Sequence, residues 1–332
     1  ETITSLRLQE SKYFLNTYQF VFLRLYLLLL SHCKDTADFR FGLYIDYGLF
    51  YLYYRPWKIG LTINIKIVDN IYWRTTYMNS DYKVGDLIYD ANIYDGMNTS
   101  MDDLQFYKRW LPKNKDARIL ELCCGIGRLT LPIAKDGYDI SGVDYTASML
   151  HQAKMKAAEA GLRINFIQAD IRTLDLQKKY DLIFIPFNSI HHLYENEDLF
   201  KVLHVVKNHL KDGGLFLLDC FNPNIRYIVE GEKEQQEIAT YTTGDGREVS
   251  IKQTMRYENK TQINRIEWHY FINGEFNSIQ NLDMRMFFPQ ELDSYLEWNG
   301  FSIIHKYGGF EEEVFNGDSE KQVFVCQCKF GY

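Results

Sequence analysis

From Arg118 to Phe221 the chain alternates short apolar runs with amphipathic stretches, and this alternation restricts its fold more than any other feature. Ala117–Leu122, Asp139–Asp144, Ile164–Asp170, Tyr180–Phe187 and Leu215–Phe221 have the length and apolar content of strands. Gly127–Gly137, Ala147–Gly161 and Asn196–Gly214 read as helices, each closed by glycine. Apolar strands separated by helices bury both faces only in a parallel sheet covered on two sides. The expected class is α/β: a doubly wound, mostly parallel, Rossmann-like sheet. Ser302–Phe310 and Gln322–Lys329 complete seven strands. The pattern breaks at about 237–288, where four strand-like segments follow one another across GDG, NKTQ and an Asn273-Gly274 turn. Short turn-forming loops of this kind predict an antiparallel meander inserted after the fifth strand. Pro289–Phe301 then reads as a helix with Pro in its first turn.

Composition divides the chain at Met78, the first of eight methionines. Before it, 77 residues hold 18 aromatics; from it onward, 38 acidic residues outnumber 28 basic ones. The whole chain carries a net charge of −7. Phosphate-backbone binders are usually basic, so nucleic acid is not the expected partner. The expected division is residues 1–77, an extension of unknown role, and residues 78–332, one catalytic unit. Three readings of the extension stand: translated upstream sequence, a partner-binding segment, or a membrane-surface anchor. Its most apolar run, Tyr18–Leu30, is 13 residues long and contains Arg24. A membrane span needs about 20 apolar residues, so no transmembrane span is expected. The six cysteines include no C-x-x-C pair, so no metal site is expected and free thiols fit a cytoplasmic protein.

The chemistry is concentrated in ILELCCGIGRLT, Ile119–Thr130. A strand ends at Glu121, a tight turn carries Gly125 and Gly127, and a helix follows. Glycines here let backbone approach a ligand closely. Asp144 closes the second strand, where a carboxylate can accept hydrogen bonds from both hydroxyls of a ribose. A nicotinamide dinucleotide site needs a third glycine where Thr130 stands, and no P-loop Lys-Ser/Thr pair is present.

With these residues in place, the stretch from about Tyr89 to Lys329 resembles the class I S-adenosylmethionine-dependent methyltransferases. Glu121–Gly127 is similar to the family's first motif, acid-x-Gly-x-Gly-x-Gly, with Cys123 at the first glycine position. That departure is mild if the local φ is negative. Gly142–Asp144, Gln168–Ile171, Tyr180–Leu193 and Leu210–Asp219 resemble the later motifs in order. The resemblance implies S-adenosyl-L-methionine as cofactor. It places Glu121, Cys123, Gly125 and Gly127 around its methionine and ribose, and Asp144 on the ribose hydroxyls. Tyr145, Asp170 and the backbone of Ile171 would face the adenine, and Met149 would form an apolar wall. Met149 reads equally as helix core and Asp170 as a turn residue. Tyr89 or Tyr94, in Ile88–Met97, resembles the tyrosine of a helix that covers the cofactor.

Phe187–Leu193 is similar to the stretch after the fourth strand in amino-sugar N,N-dimethyltransferases. On that resemblance His192 is the candidate general base and Phe187 a cofactor contact. Trp268, His269 and Tyr270 in the meander are candidates for the acceptor wall. The function implied is in-line methyl transfer to nitrogen or oxygen of a small molecule, with a homodimer allowed. A nicotinamide-dependent dehydrogenase and a non-catalytic cofactor-binding module are the alternatives.

Overall fold

The computed structural model describes residues 88–329 except 89, 99, 233 and 234 and the side chains of 91, 92 and 95; nearer the amino terminus it describes the backbone of three strands. The chain divides into two units, Glu1–Asp81 and Tyr82–Tyr332. In the first, Phe39–Asp46, Leu49–Pro56 and Ile63–Asn64 pair antiparallel. Tyr18–Leu30 and Tyr89 lie outside the described residues.

The second unit begins with helices α1 (Ala91–Met97) and α2 (Asp102–Arg109). Then come β1 (Arg118–Leu122), α3 (Thr130–Lys135), β2 (Asp139–Asp144), α4 (Ala147–Glu159), β3 (Asn165–Gln168) and β4 (Tyr180–Ile185). A 3-10 turn at Ser189–His192 leads to α5 (Asn196–His209), β5 (Leu210–Phe221) and α6 (Ile225–Gly231). The meander is β6 (Gln236–Thr242), β7 (Glu248–Glu258), β8 (Ile263–Ile272), β9 (Glu275–Asn281) and the short β10 (Met284–Arg285). Helix α7 (Pro289–Trp298) and strands β11 (Phe301–Tyr307) and β12 (Lys321–Cys328) finish the unit.

The main sheet has the order β11-β12-β5-β4-β1-β2-β3. Strands β1 to β5 are parallel, and β12 runs antiparallel to both its neighbours. Strand order therefore reverses beside β1, and ligands of open α/β sheets bind at such a point, beyond the carboxyl ends of the strands. Both faces are buried, as the apolar strands required. Ile119, Leu182, Phe184, Leu217 and Val325 pack beneath α2 and α3. Leu120, Leu122, Ile183, Phe216 and Phe324 pack beneath α5 and α7.

The meander forms its own five-stranded sheet, in the order β9-β8-β7-β6 with β10 also paired to β8. Its last segment is not one continuous strand: β9 ends at Asn281, and Met284 and Arg285 pair again with β8 as the short β10. Two helix expectations are also trimmed. Helix α3 starts at Thr130, because the glycine turn occupies the residues before it. Helix α5 ends at His209, and Lys211–Gly214 already belong to β5.

One glycine is demanded by packing. A Cβ on Gly142, in β2, would lie 2.8 Å from Cys124 Sγ and 3.1 Å from a Phe166 ring carbon. Neither neighbour is a flexible chain end, so Gly142→Ala should lower unfolding free energy by about 1–3 kcal/mol. Urea denaturation would show a lower midpoint with an unchanged slope.

Candidate active site at the strand ends

The turn after β1 is built from left-handed residues: Cys123 (φ 62°), Gly125 (φ 53°) and Gly127 (φ 82°). The φ of Cys123 is positive, so its replacement of the first motif glycine is not the mild departure the sequence suggested. A non-glycine residue pays about 1–2 kcal/mol there. Its half-buried side chain lies beside Ser189, and that burial pushes the thiol pKa well above that of a free thiol. The turn is closed by Cys124 N donating to Val143 O and Gly127 N donating to Cys124 O, both at 2.9 Å.

Asp144 anchors this turn from β2. Its Oδ2 accepts from Gly125 N and its Oδ1 from Thr146 N, both at 2.8 Å. Burial raises its pKa, and these two backbone donors pull it partly back. The Thr146 side chain and the Tyr145 backbone also donate to this carboxylate. A Cβ on Gly125 would meet nothing within 4 Å, so the turn has open space above it.

Glu121 is buried and accepts a hydrogen bond from Thr130 Oγ1. Burial raises its pKa to about 8, so it is mostly protonated at neutral pH. Arg128 forks onto Asp103 of α2, with both guanidinium nitrogens 2.6 Å from the carboxylate, and Nη1 also donates to Ser100 O. The same guanidinium lies 4.7 Å from the Phe187 ring centre, and Tyr94 meets that ring edge-on at 6.5 Å. Burial pushes the Tyr94 hydroxyl up to about 12, keeping it neutral. These contacts tie α1 and α2 to the glycine turn and to the segment after β4.

Other expected residues sit nearby with more local partners. Tyr145 is half exposed at the end of β2, while Met149 is buried on α4. Asp170 follows β3; Arg172 grips its carboxylate, with Nη2 2.7 Å from Oδ2 and N 2.9 Å from Oδ1. Burial would raise its pKa, but the arginine hydrogen bonds hold it below the usual carboxylate range. Ile171 beside it is buried. In the meander, Tyr270 is buried and Trp268 Nε1 donates to Gln253 Oε1 at 3.0 Å, whereas His269 alternates to the other face.

The two histidines after β4 differ. Nδ1 of His191 meets Arg285 O, and its Nε2 accepts from Phe221 N at 3.0 Å. Both ring nitrogens are thus used in joining β5 to β10. The His192 ring meets the Asp283 backbone, while its buried Nδ1 has no well-aligned hydrogen-bond partner among the described residues. Burial lowers both pKa values to about 4, so both rings are neutral at pH 7.

Sequence reading missed the residues beneath this segment. Asp219, Lys321 and Tyr107 meet under Phe187 and Asn188. Asp219 ended a quoted motif, but nothing in a linear sequence shows that β12 and α2 send it partners. Among the described residues no cluster of His, Cys, Asp and Glu suits a metal ion. No described helix is long and apolar enough to cross a membrane.

The donor set fits a nucleoside carrying a sulfonium rather than phosphates. Carboxylates converge on the turn, and its arginine is already neutralised by Asp103. Residues 119–214 match the model of a methyltransferase domain family. YqeM of Bacillus subtilis (strain 168), named as a methyltransferase, is 29% identical over 71% of this chain and 97% of its own length. The CcbJ methyltransferase of Streptomyces caelestis superposes with a TM-score of 0.61, at 21% identity, over 76% of this chain and 100% of its own. CalS10 of Micromonospora echinaspora, titled an amino pentose methyltransferase, gives 0.54 at 16% identity over 80% and 99%. The fold, the turn and the matched domain are those of an S-adenosylmethionine-dependent methyltransferase of class I. Its cofactor is S-adenosylmethionine.

Two predictions follow from the geometry of the turn and its buried acid. Because Cys123 is left-handed, Cys123→Gly should exceed Cys123→Val in unfolding free energy by about 2 kcal/mol, measured in urea. Glu121, raised from 4.5 to about 8, contributes stability present below its unfolded pKa and lost as pH rises toward 8. The histidines, lowered from 6.5 to about 4, contribute stability present above 6.5 and lost as pH falls toward 4. Stability should therefore peak near pH 6.5–7. Its decline toward pH 8, about 2 kcal/mol for one and a half units, should vanish in Glu121→Gln.

Proposed function

We propose that the protein methylates the amine of a small acceptor held between the glycine turn and the meander. The observation that carries this reading is the covering of α1. Tyr241 of β6 donates its hydroxyl to Ile93 O at 3.0 Å, and a Cβ on Gly96 would fall 2.5 Å from the Tyr241 ring. Ile93, Val249, Ile251 and Tyr270 form one apolar cluster between helix and meander. Tyr94 of the same helix reaches Phe187. A site roofed by α1 and a sheet suits a small acceptor better than a folded nucleic acid, and the acidity of the unit points the same way.

The bound cofactor supplies an activated methyl group on sulfur. The protein's part is alignment: Asp144 and the glycine turn hold one partner while the segment after β4 directs the other. Correct orientation is worth an effective molarity of about 10⁵–10⁸ M. In this reading the acceptor nitrogen attacks the methyl carbon, the carbon–sulfur bond breaks, and the extra N–H proton then passes to water. A histidine with a pKa of about 4 is a weak base, so His192 serves by accepting a hydrogen bond from the acceptor N–H and aiming its lone pair. The sequence resemblance to amino-sugar N,N-dimethyltransferases and the fold shared with CalS10 support an amine over a hydroxyl acceptor.

Incubation with methyl-tritiated S-adenosylmethionine and a panel of amino sugars, small amines, catechols and ribosomal RNA tests the proposal. Label should enter an amine. Label in catechol would replace nitrogen by oxygen, and label only in RNA would overturn the proposal. With the amine so identified, His192→Ala should lower kcat/KM about three- to tenfold, the worth of one hydrogen bond.

A further inference from the structure

Asp219 lies at the end of β5, fully buried, and all four acceptor positions of its carboxylate are engaged. Oδ1 accepts from Tyr107 Oη at 2.7 Å and Phe187 N at 2.9 Å. Oδ2 accepts from Asn188 N at 3.3 Å and Lys321 Nζ at 3.4 Å. Lys321 also reaches Asn188 Oδ1 at 3.2 Å. Four donors from α2, β12 and the segment after β4 thus converge on one carboxylate.

The two backbone donors belong to strained residues. Phe187 (φ 58°) and Asn188 (φ 61°) are consecutive and both left-handed. Asparagine tolerates that region; a phenylalanine there is held only by surroundings that over-determine it, at a cost of about 1–3 kcal/mol. Successive backbone N–H groups turned the same way form an anion-binding concavity, and here the anion is a side chain. The left-handed φ carries the Phe187 ring under Arg128 and against Tyr94. It also starts the 3-10 turn bearing His192, since His191 N donates to Asn188 O at 3.0 Å.

We infer that Asp219 is a positioning residue: its carboxylate holds the Phe187–Asn188 backbone in the left-handed conformation that closes Phe187 over the cofactor. Tyr107 and Lys321 hold that carboxylate in place. The inference rests on the methyltransferase reading of the site, and the experiment separates the two. A failure of the wild-type chain to bind S-adenosylhomocysteine would strike the reading of the site itself.

The test is a double-mutant cycle read by isothermal titration with S-adenosylhomocysteine, with thermal unfolding as the check on folding. Asp219→Asn keeps the shape but puts an N–H₂ donor where a carboxylate oxygen accepted. It should weaken binding about 10-fold while the protein still unfolds cooperatively. Tyr107→Phe, which removes only one donor to Asp219, should weaken it about threefold. In a Phe187→Gly background the left-handed turn needs no anion and no ring remains to position. There Asp219→Asn should change affinity less than twofold. A merely structural Asp219 would give the same loss in both backgrounds, and that additivity would overturn the inference. So would unchanged affinity in folded Asp219→Asn. If Asp219→Asn does not fold, the Tyr107→Phe cycle with Phe187→Gly decides by the same criterion.

Discussion

The chain reversal after β1 is the constraint on which the rest of the site depends. Cys123, Gly125 and Gly127 are left-handed, and Asp144 accepts Gly125 N across the gap to β2, beside the backbone bonds that close the reversal. One carboxylate therefore fixes the turn that shapes the floor of the site. Its location is set by sheet topology, since strand order reverses beside β1 and leaves the carboxyl ends of β1 and β2 open.

Around that reversal, charge is arranged so that little of it is free. Asp103 neutralises Arg128, Arg172 neutralises Asp170, and the buried Glu121 is held mostly protonated. Asp219 is surrounded by donors. The site is left with neutral histidines, apolar rings and the Asp144 carboxylate. Such an interior suits a cationic sulfonium ligand and, among the described residues, has no cradle of free cations for phosphates. The ion pairs also carry mechanical information: Asp103 with Arg128 binds α2 to the turn, and Arg285 with Glu291 at 2.9 Å binds the meander to α7. Roof and floor are held by separate contacts.

Much of this was legible in the sequence, for physical reasons. Strands buried on both faces read as continuous apolar runs, so β1 to β5 stood out. The meander did too, because its turns carry Asn, Asp and Gly. The glycine turn was legible because backbone reversal demands particular residue types, and Asp144 because an acid closing the second strand stands next to that turn. What was hidden depends on distance in the chain or on backbone angles. Cys123 does not announce its positive φ, and its neighbour Gly125 only hints at it. Asp219 and Lys321 are 102 residues apart, and their meeting follows from the antiparallel pairing of β12 with β5. The unequal roles of His191 and His192 come from contacts with Arg285 and Phe221, again far along the chain. Asp170 lies beyond β3, and there Arg172 engages its carboxylate in a local turn.

The central claim is that the turn from Glu121 to Gly127, anchored by Asp144, holds a sulfur nucleoside. Isothermal titration of the full chain with S-adenosylmethionine, S-adenosylhomocysteine and NAD measures this directly. The account predicts micromolar binding of both sulfur ligands, weakened by about 1–3 kcal/mol in Asp144→Ala through loss of charged hydrogen bonds. Binding of NAD with no binding of either sulfur ligand would contradict it.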